Sequence, residues 1–307
     1  MATKPVLPAR PFAVPQPRER ADAVAWSEYW ALTKPDVNLL IAITVAVAFC
    51  SAAPPSHSSF PWTALLNVVF GTMLVAAGAA ALNQWMERRF DAQMRRTGRR
   101  PIAAGRVEPG RALAFGTLVS LAGTAYLVVT SGMLAALLAA ITLASYLLVY
   151  TPLKRRTPLC MMIGAIPGAM PPLIGWAAAR GALSAEAWLL FAIVFLWQFP
   201  HFMAIAWMYR DDYDRAGYKV LPRGRARVPV VIVQTLLPLI ALVFVSLLPA
   251  LTGGAGVLRT GGILLAGLGF LTGGLQFVSR RSGSSARRLL FASILYLPLV
   301  FLLLSLA

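Results

Sequence analysis

Acid is scarce in this sequence. Eleven Asp and Glu stand against 28 Lys and Arg in 307 residues, and charged residues of both signs make up only 13%. A water-soluble domain carries roughly a quarter of its residues as charges, so a globular cytosolic protein is excluded. Cysteine is scarcer still. Cys50 and Cys160 are the only two, which leaves no disulfide framework and no CxxC or Cys/His cluster of zinc spacing. They are expected near opposite membrane faces, too far apart for a bridge, and read as small packing residues. Histidine is limited to His57 and His201. A secretory signal is also missing. The opening "MATKPVLPARPFAVPQPRERADAVAWSEYW" is Pro- and Arg-rich with no apolar core. Glu19 and Asp22 argue against a transit peptide. Residues 1–30 read as a disordered basic tail, ending in an aromatic interfacial stretch from Trp26 to Trp30.

What the chain has in quantity is apolar length. Hydrophobic residues make up 58% and mean hydropathy is +0.70, the composition of a polytopic membrane protein. A bilayer crossing takes roughly 17–25 residues. Stretches of that kind fall at 37–53, 62–84, 110–130, 133–150, 159–179, 186–208, 229–250, 257–278 and 289–306. The expected fold is therefore all-α, with about nine transmembrane helices and residues 31–307 as a single domain. Ser131-Gly132 is a notably tight link between the third and fourth.

Charge sets the orientation. With the N-terminus inside, every one of the 28 Lys and Arg except Arg180 and Arg259 lies on the inner side. That predicts N-in, C-out. The net charge of +17 is then largely a matter of topology and of anionic lipid or substrate, and no nucleic-acid partner is called for. Among the acids only Glu186 falls outside. Glu87, Asp91, Asp211, Asp212 and Asp214 fall at inner helix ends and loops, which points to a site on the cytoplasmic face.

Three stretches carry the chemistry. "ALNQWMERRFDAQMRRTGRRP" holds Asn83, Glu87 and Asp91 at four-residue spacing. On a helix they span an arc of about 80°, so three oxygen side chains line one face. That suits a hard cation such as Mg²⁺, which takes part of its shell from substrate phosphate; a solvated helix end with Glu87 paired to a neighbouring Arg is the plain alternative. "AWMYRDDYDRAGYKVLP" supplies Asp211, Asp212 and Asp214 on the same side. Two acid clusters facing each other repel unless a cation lies between, the logic of a metal–diphosphate site. Arg95, Arg96, Arg99, Arg100, Lys154, Arg155 and Arg156 share that face. Arg forks match phosphate oxygens and Lys acts as a point charge; Arg95, Arg96, Arg100, Lys154 and Arg155 are the candidates for the diphosphate.

Inside the sixth predicted span, "FLWQFPHFMAIAW" contains Gln198, Pro200 and His201. Pro200 is expected to kink the helix and open room. A histidine within a span faces a cavity or a partner. Asp212 follows it by eleven residues, within about 20° of the same face and about 16 Å away if the helix is continuous. "GAIPGAMPPLIGWAA" reads as a broken, small-residue cavity wall. Tyr146 and Tyr150 can turn their rings to a cation or serve as interfacial anchors.

These segments together resemble the membrane-embedded aromatic prenyltransferases of the UbiA type. "LTKPDVNLL", the Asn83–Asp91 stretch, "YTPLKRRTPL", "IPGAMPPLIGWAA" and "WQFPHF" running on to "DDYDRAGYKVLP" carry the resemblance, from about residue 32 to 222. "MRRT", "LKRRT" and "WQFPHF" in combination resemble the haem-directed subgroup, the protohaem IX farnesyltransferases or haem O synthases. The resemblance implies helices around a cavity open to lipid, in the inner membrane of a bacterium. It implies Asn83, Glu87 and Asp91 as the first Mg²⁺–diphosphate motif and Asp212, with Asp211 nearby, as the second, with Mg²⁺ held by Asn83, Asp91 and Asp212. His201, Gln198 and Tyr150 become candidates for the haem acceptor. Farnesyl diphosphate and haem B enter as substrates, haem B not as a cofactor, and haem A synthase or oxidase assembly factors as onward partners. Two departures stand out: Asp36 follows "LTKP", where the family more often has a base, and "GYKVLP" replaces a commoner Gly-Pro-Met-Leu-Pro type ending. Other readings stay open. A quinone-type acceptor such as 4-hydroxybenzoate is disfavoured by "WQFPHF". A transporter is disfavoured because the carboxylates gather at one face. A non-catalytic haem carrier would need no acids.

Overall fold

The computed structural model describes residues 25–53, 60–222, 224, 227–252 and 256–305. Residues 1–24 of the expected tail, and His57, lie outside them. The described chain is helical without strands, and nine helices are long and apolar enough to cross a membrane.

A short helix α1 (Trp26–Leu32) precedes the first span. It exposes Trp26 and Trp30 and buries Leu32 against Ala81, Ile102, Val107 and Ala112. Glu28 accepts from Arg106 Nε at 2.7 Å, which clips α1 to the loop beyond the second span. The aromatic stretch is thus ordered helix, with two indoles free for a membrane interface.

The spans follow as α2 (Pro35–Ala52), α3 (Trp62–Asp91), α4 (Pro109–Ser131), α5 (Met133–Leu153), α6 (Cys160–Arg180) and α7 (Ala185–Met208). After a short helix α8 (Arg210–Arg215) come α9 (Arg227–Thr252), α10 (Val257–Arg280) and α11 (Gly283–Ser305). Pro35 and Pro109 start α2 and α4 where a missing N–H costs nothing. The tight link is confirmed: α4 stops at Ser131, Gly132 takes φ +90°, and α5 begins at Met133.

α6 sits innermost. It breaks at Met170, where Pro171 and Pro172 restart the helix without donors, and its apolar window is 78% buried. Small residues bring the backbones together. A Cβ on Gly175 would lie 2.2 Å from Val45 O of α2, and one on Gly78 of α3 would lie 2.6 Å from Gly116 O of α4. α7 packs between α6, α9 and α11, and α11 reaches α2, closing the ring of helices. The outer faces show Leu118, Val129, Leu148, Phe244, Leu265 and Leu295, as lipid-facing helices do.

Candidate active site

α3 runs unbroken to Asp91, so Asn83, Glu87 and Asp91 share one face, and all three are buried. Each is met by a cation from a different segment. Lys154 Nζ donates to Glu87 Oε1 at 2.9 Å. Arg100 Nη1 donates to both oxygens of Asp91, at 2.9 and 2.7 Å. Lys34 Nζ donates to Asn83 Oδ1 at 3.3 Å.

Neighbouring hydrogen bonds and rings fix these groups. Thr151 Oγ1 donates to Tyr146 O at 2.8 Å and accepts from Asn83 Nδ2 at 3.1 Å. That leaves Asn83 with its oxygen facing Lys34. The end of α5, Ser145–Tyr150, is a π-helical turn, a widening that recurs at functional sites. It turns Tyr150 and Tyr146 to Lys154, whose Nζ lies 4.6 and 6.0 Å from their ring centroids. Lys34 is set by its own backbone, left-handed at φ 51°. Gln84 Nε2 holds Leu32 O at 2.9 Å and Asn38 Nδ2 holds Thr33 O at 2.9 Å. Burial, with Arg100 and Lys154 close by, pulls the Lys34 ammonium down to about 7. Burial would lower Lys154 too, but Glu87, helped by Tyr150 and Tyr146, holds it well above the usual lysine range.

The second acidic stretch arrives differently from expectation. α7 ends at Met208, and Tyr209 (φ −109°, ψ 19°) separates it from α8. Pro200 is absorbed within a continuous α7, but the helix is not continuous from His201 to Asp212, so the eleven-residue register argument fails. Asp212 is buried and accepts from the Arg215 guanidinium and from Arg96 N at 3.4 Å. Arg96 donates from Nη2 to Tyr213 Oη at 3.1 Å and lies over the Tyr209 ring at 5.1 Å. Asp211 makes none of these bonds and stands at the solvent edge of the cavity they border. Its side chain is 80% exposed and sits 3.7 Å from Arg210.

One loop joins the two acidic ends. Arg96 on Asp212 and Arg100 on Asp91 are four residues apart in the chain after α3. Thr97 Oγ1 donates to Asp91 O at 3.0 Å and Gly98 N to Met94 O at 2.8 Å, which shapes that loop. From the other side, Lys219 N donates to Lys154 O at 2.7 Å. Arg95, Arg96, Met208, Tyr209, Asp211, Asp212 and Arg215 line an open cavity of about 470 Å³. The Arg155 guanidinium lies over the ring of Phe90, 4.3 Å from its centroid.

The acceptor candidates separate. Gln198 is buried against α6, donating to Ala165 O at 3.1 Å, and its Oε1 occupies the space a Cβ on Gly168 would need, 2.0 Å away. It is a packing clamp. His201 faces α11. Its ring stacks on Trp197 at 4.6 Å, and Nδ1 lies 2.8 Å from Ser293 Oγ. The Ser293 hydroxyl also reaches Leu290 O at 2.5 Å, so Ser293 ties Nδ1 of His201 to α11. Tyr150 alone of the three sits within the acidic cluster.

The UbiA prenyltransferase family model matches residues 39–296. The chain belongs to the UbiA prenyltransferase family. A "Protoheme IX farnesyltransferase" of Solibacter usitatus (strain Ellin6076) is 47% identical over 286 residues, covering 89% of this chain and 96% of that protein. One from Koribacter versatilis (strain Ellin345) is 42% identical over 306 residues, covering 95% and 96%. The solved structure of a digeranylgeranylglyceryl phosphate synthase superposes with a TM-score of 0.72 at 16% identity, covering 91% of this chain and 97% of that one. A UbiA homologue from Archaeoglobus fulgidus bound to GPP and Mg²⁺ superposes with a TM-score of 0.64 at 15% identity, covering 91% and 99%.

The oxygen donors at the two acidic helix ends suit one kind of metal. Asn83, Glu87, Asp91 and Asp212 offer only hard oxygens. Yet among the described residues no group of three or more His, Cys, Asp or Glu is assembled for a metal. Oxygen donors of this kind are what Mg²⁺ takes, usually one or two carboxylates with the rest of its shell from substrate phosphate and water. Lys34, Thr151 and Tyr218 escaped the sequence reading. The signal for Lys34 was present: a base just before a Pro-initiated span, in one of the segments carrying the family resemblance.

Proposed function

We propose that this chain transfers a farnesyl group from farnesyl diphosphate to a vinyl group of haem B, giving haem O. What carries the reading is the interleaving of two acidic helix ends with Arg96, Arg100 and Lys154 at one mouth, in a chain close to proteins named protoheme IX farnesyltransferase. The basic residues crowd that same side, which supports a cytoplasmic-face site in the inner membrane of a bacterium.

Asn83, Asp91 and Asp212 would hold Mg²⁺ together with the diphosphate, and the ion supplies neutralisation of the charge that grows on the leaving oxygens. Arg100 and Lys154 exchange their carboxylates for phosphate oxygens as the diphosphate enters. Arg96, on its Tyr209–Tyr213 platform, binds from the Asp212 side. The allylic C1–O bond breaks with both electrons leaving on the diphosphate. Exclusion of water by the apolar helices protects the farnesyl cation, and the rings of Tyr146 and Tyr150 shield it. The haem vinyl π pair forms the new C–C bond. Water adds to the resulting cation and loses a proton, leaving a hydroxyethylfarnesyl chain. His201, whose Nδ1 meets Ser293, is the haem contact we assign to the α7–α11 side. Haem A synthase or oxidase assembly factors are the proposed recipients of the product.

The test is purified protein in lipid with haem B, farnesyl diphosphate and Mg²⁺, read by product mass. Haem O forms and disappears on chelation. Prenylation of 4-hydroxybenzoate with haem B untouched would overturn the acceptor assignment.

A further inference from the structure

Tyr218 lies in the segment that follows α8, where the sequence departs from the commoner family ending. Its position is tightly determined. Gly217 takes φ +73°, Tyr218 N donates to Tyr213 O at 2.9 Å, and the next residue, Lys219, donates its N–H to Lys154 O at 2.7 Å. The ring is gripped edge-on by Phe90 at 6.0 Å and Tyr213 at 5.9 Å. Only 4% of the residue is exposed.

The hydroxyl at the end of that ring is buried and closes no hydrogen bond of full geometry, although the Glu87 carboxylate lies near enough to act on it as a weak acceptor. Buried phenols almost always have a partner, because leaving one unmade forfeits the solvation of the group. The surroundings show what kind of partner is missing. Glu87, Lys154 and Asp91 are the charged groups whose fields reach this oxygen, and burial together with Glu87 keeps the phenol firmly protonated, well above the usual tyrosine range. It is therefore a donor. Both oxygens of Asp91 are held by Arg100 and Glu87 Oε1 by Lys154, which leaves Glu87 Oε2 as the phenol's one weak local acceptor.

We propose that Tyr218 Oη is a hydrogen-bond donor to the diphosphate, filled only when the pyrophosphoryl head lies between Lys154 and Asp91. This rests on the reading of the acidic cluster as a diphosphate site and extends it. The loop after Asp212 contributes a direct ligand contact as well as a carboxylate. Because Lys219 is tied to Lys154 O, the phenol and the Lys154 ammonium approach the anion as one unit.

The experiment is Tyr218→Phe, which keeps the ring and removes only the oxygen. Binding of inorganic pyrophosphate with Mg²⁺ is measured by calorimetry on the full chain in detergent, beside thermal unfolding without ligand. The expected result is about 10- to 100-fold weaker pyrophosphate binding, the range for a hydrogen bond to a charged group, with an unliganded Tm equal to or above wild type. Unchanged pyrophosphate affinity, or a lowered Tm with unchanged affinity, overturns the proposal. Wild-type protein that binds no pyrophosphate overturns the diphosphate reading and this proposal with it. Wild type that binds pyrophosphate but leaves haem unmodified, while Tyr218→Phe binds weakly, supports Tyr218 and removes only the acceptor.

Discussion

Arg100 Nη1 lies 2.9 and 2.7 Å from the two carboxylate oxygens of Asp91. An acid marked by its spacing for a metal is thus neutralised from within, and Lys154 does the same for Glu87 at 2.9 Å. Without these cations, Glu87 and Asp91 on one buried face would carry uncompensated charge, which is strongly unfavourable. The guanidinium and ammonium hold the site together until a ligand replaces them.

Magnesium alone should therefore bind poorly. A divalent ion must displace Arg100 or Lys154 and leave it beside the newly bound charge, whereas a magnesium diphosphate brings anionic oxygens for those same cations. Calorimetric titration with Mg²⁺ should show no saturable heat up to millimolar concentration, and a saturable transition once pyrophosphate is present. Tight binding of Mg²⁺ alone would contradict this order.

Removing one partner should hurt more than removing both. Arg100→Ala leaves Asp91 buried and unpaired, while Asp91→Asn removes the charge. The Arg100 side chain is 22% exposed, so solvent softens the penalty. A coupling of about 1 kcal/mol in a double-mutant cycle of Arg100→Ala with Asp91→Ala is expected, below the figure for fully buried pairs. Asp91→Asn should fold normally and lose about 10²- to 10³-fold in kcat, the scale for one electrostatic group acting on a developing charge. Additive stabilities, or wild-type turnover from Asp91→Asn, would refute the pairing or the role.

Much of this was legible in the sequence, and what was not follows from distance along the chain. The spans could be read because twenty apolar residues in a row leave few other structures. The Asn83–Glu87–Asp91 face could be read because helical spacing is local. Which cation answers which acid could not. Lys34, Arg100 and Lys154 reach α3 from three separate segments, and the basic cluster offered several equivalent choices. Asp211 and Asp212 looked alike in sequence. Only the break at Tyr209 turns Asp212 inward and leaves Asp211 in solvent. Gln198 was an acceptor candidate through the resemblance of "WQFPHF", but the absence of a side chain at Gly168 draws it into the α6 interface.

Lys34 gives the unliganded protein a pH dependence of fixed sign. Burial, Arg100 and Lys154 lower its ammonium from 10.5 to about 7. Between those values the unfolded chain holds a proton that the folded chain lacks, so stability rises with pH across that window. Below about pH 7 both states are charged, and the destabilisation is fully present. Thermal unfolding in detergent should show Tm rising from pH 7 to 9, with a shallower rise in Lys34→Met. Parallel slopes for the two proteins would mean that Lys34 titrates normally.

Gly164 tests whether Tyr150 is held where Lys154 needs it. A Cβ at Gly164 would lie 2.4 Å from Cδ2 and Cε2 of the Tyr150 ring, closer than real contacts allow. The ring has little room to retreat, with Tyr146 5.6 Å away centroid to centroid and Lys154 Nζ 4.6 Å from its own centroid. Gly164→Ala must therefore push Tyr150 toward Lys154 and disturb the ammonium on Glu87. Overpacking of this kind costs about 1–3 kcal/mol, and the disturbed Lys154 should lower kcat/KM for the prenyl diphosphate by about tenfold, near the low end for one misplaced charged contact. Trimming the ring as well, in Gly164→Ala with Tyr150→Leu, should recover stability beyond the sum of the two single changes, because the clash is between those two residues. The same double variant should not recover turnover, since the aromatic face is gone. Simple additivity of the two substitutions in unfolding measurements would place the strain elsewhere.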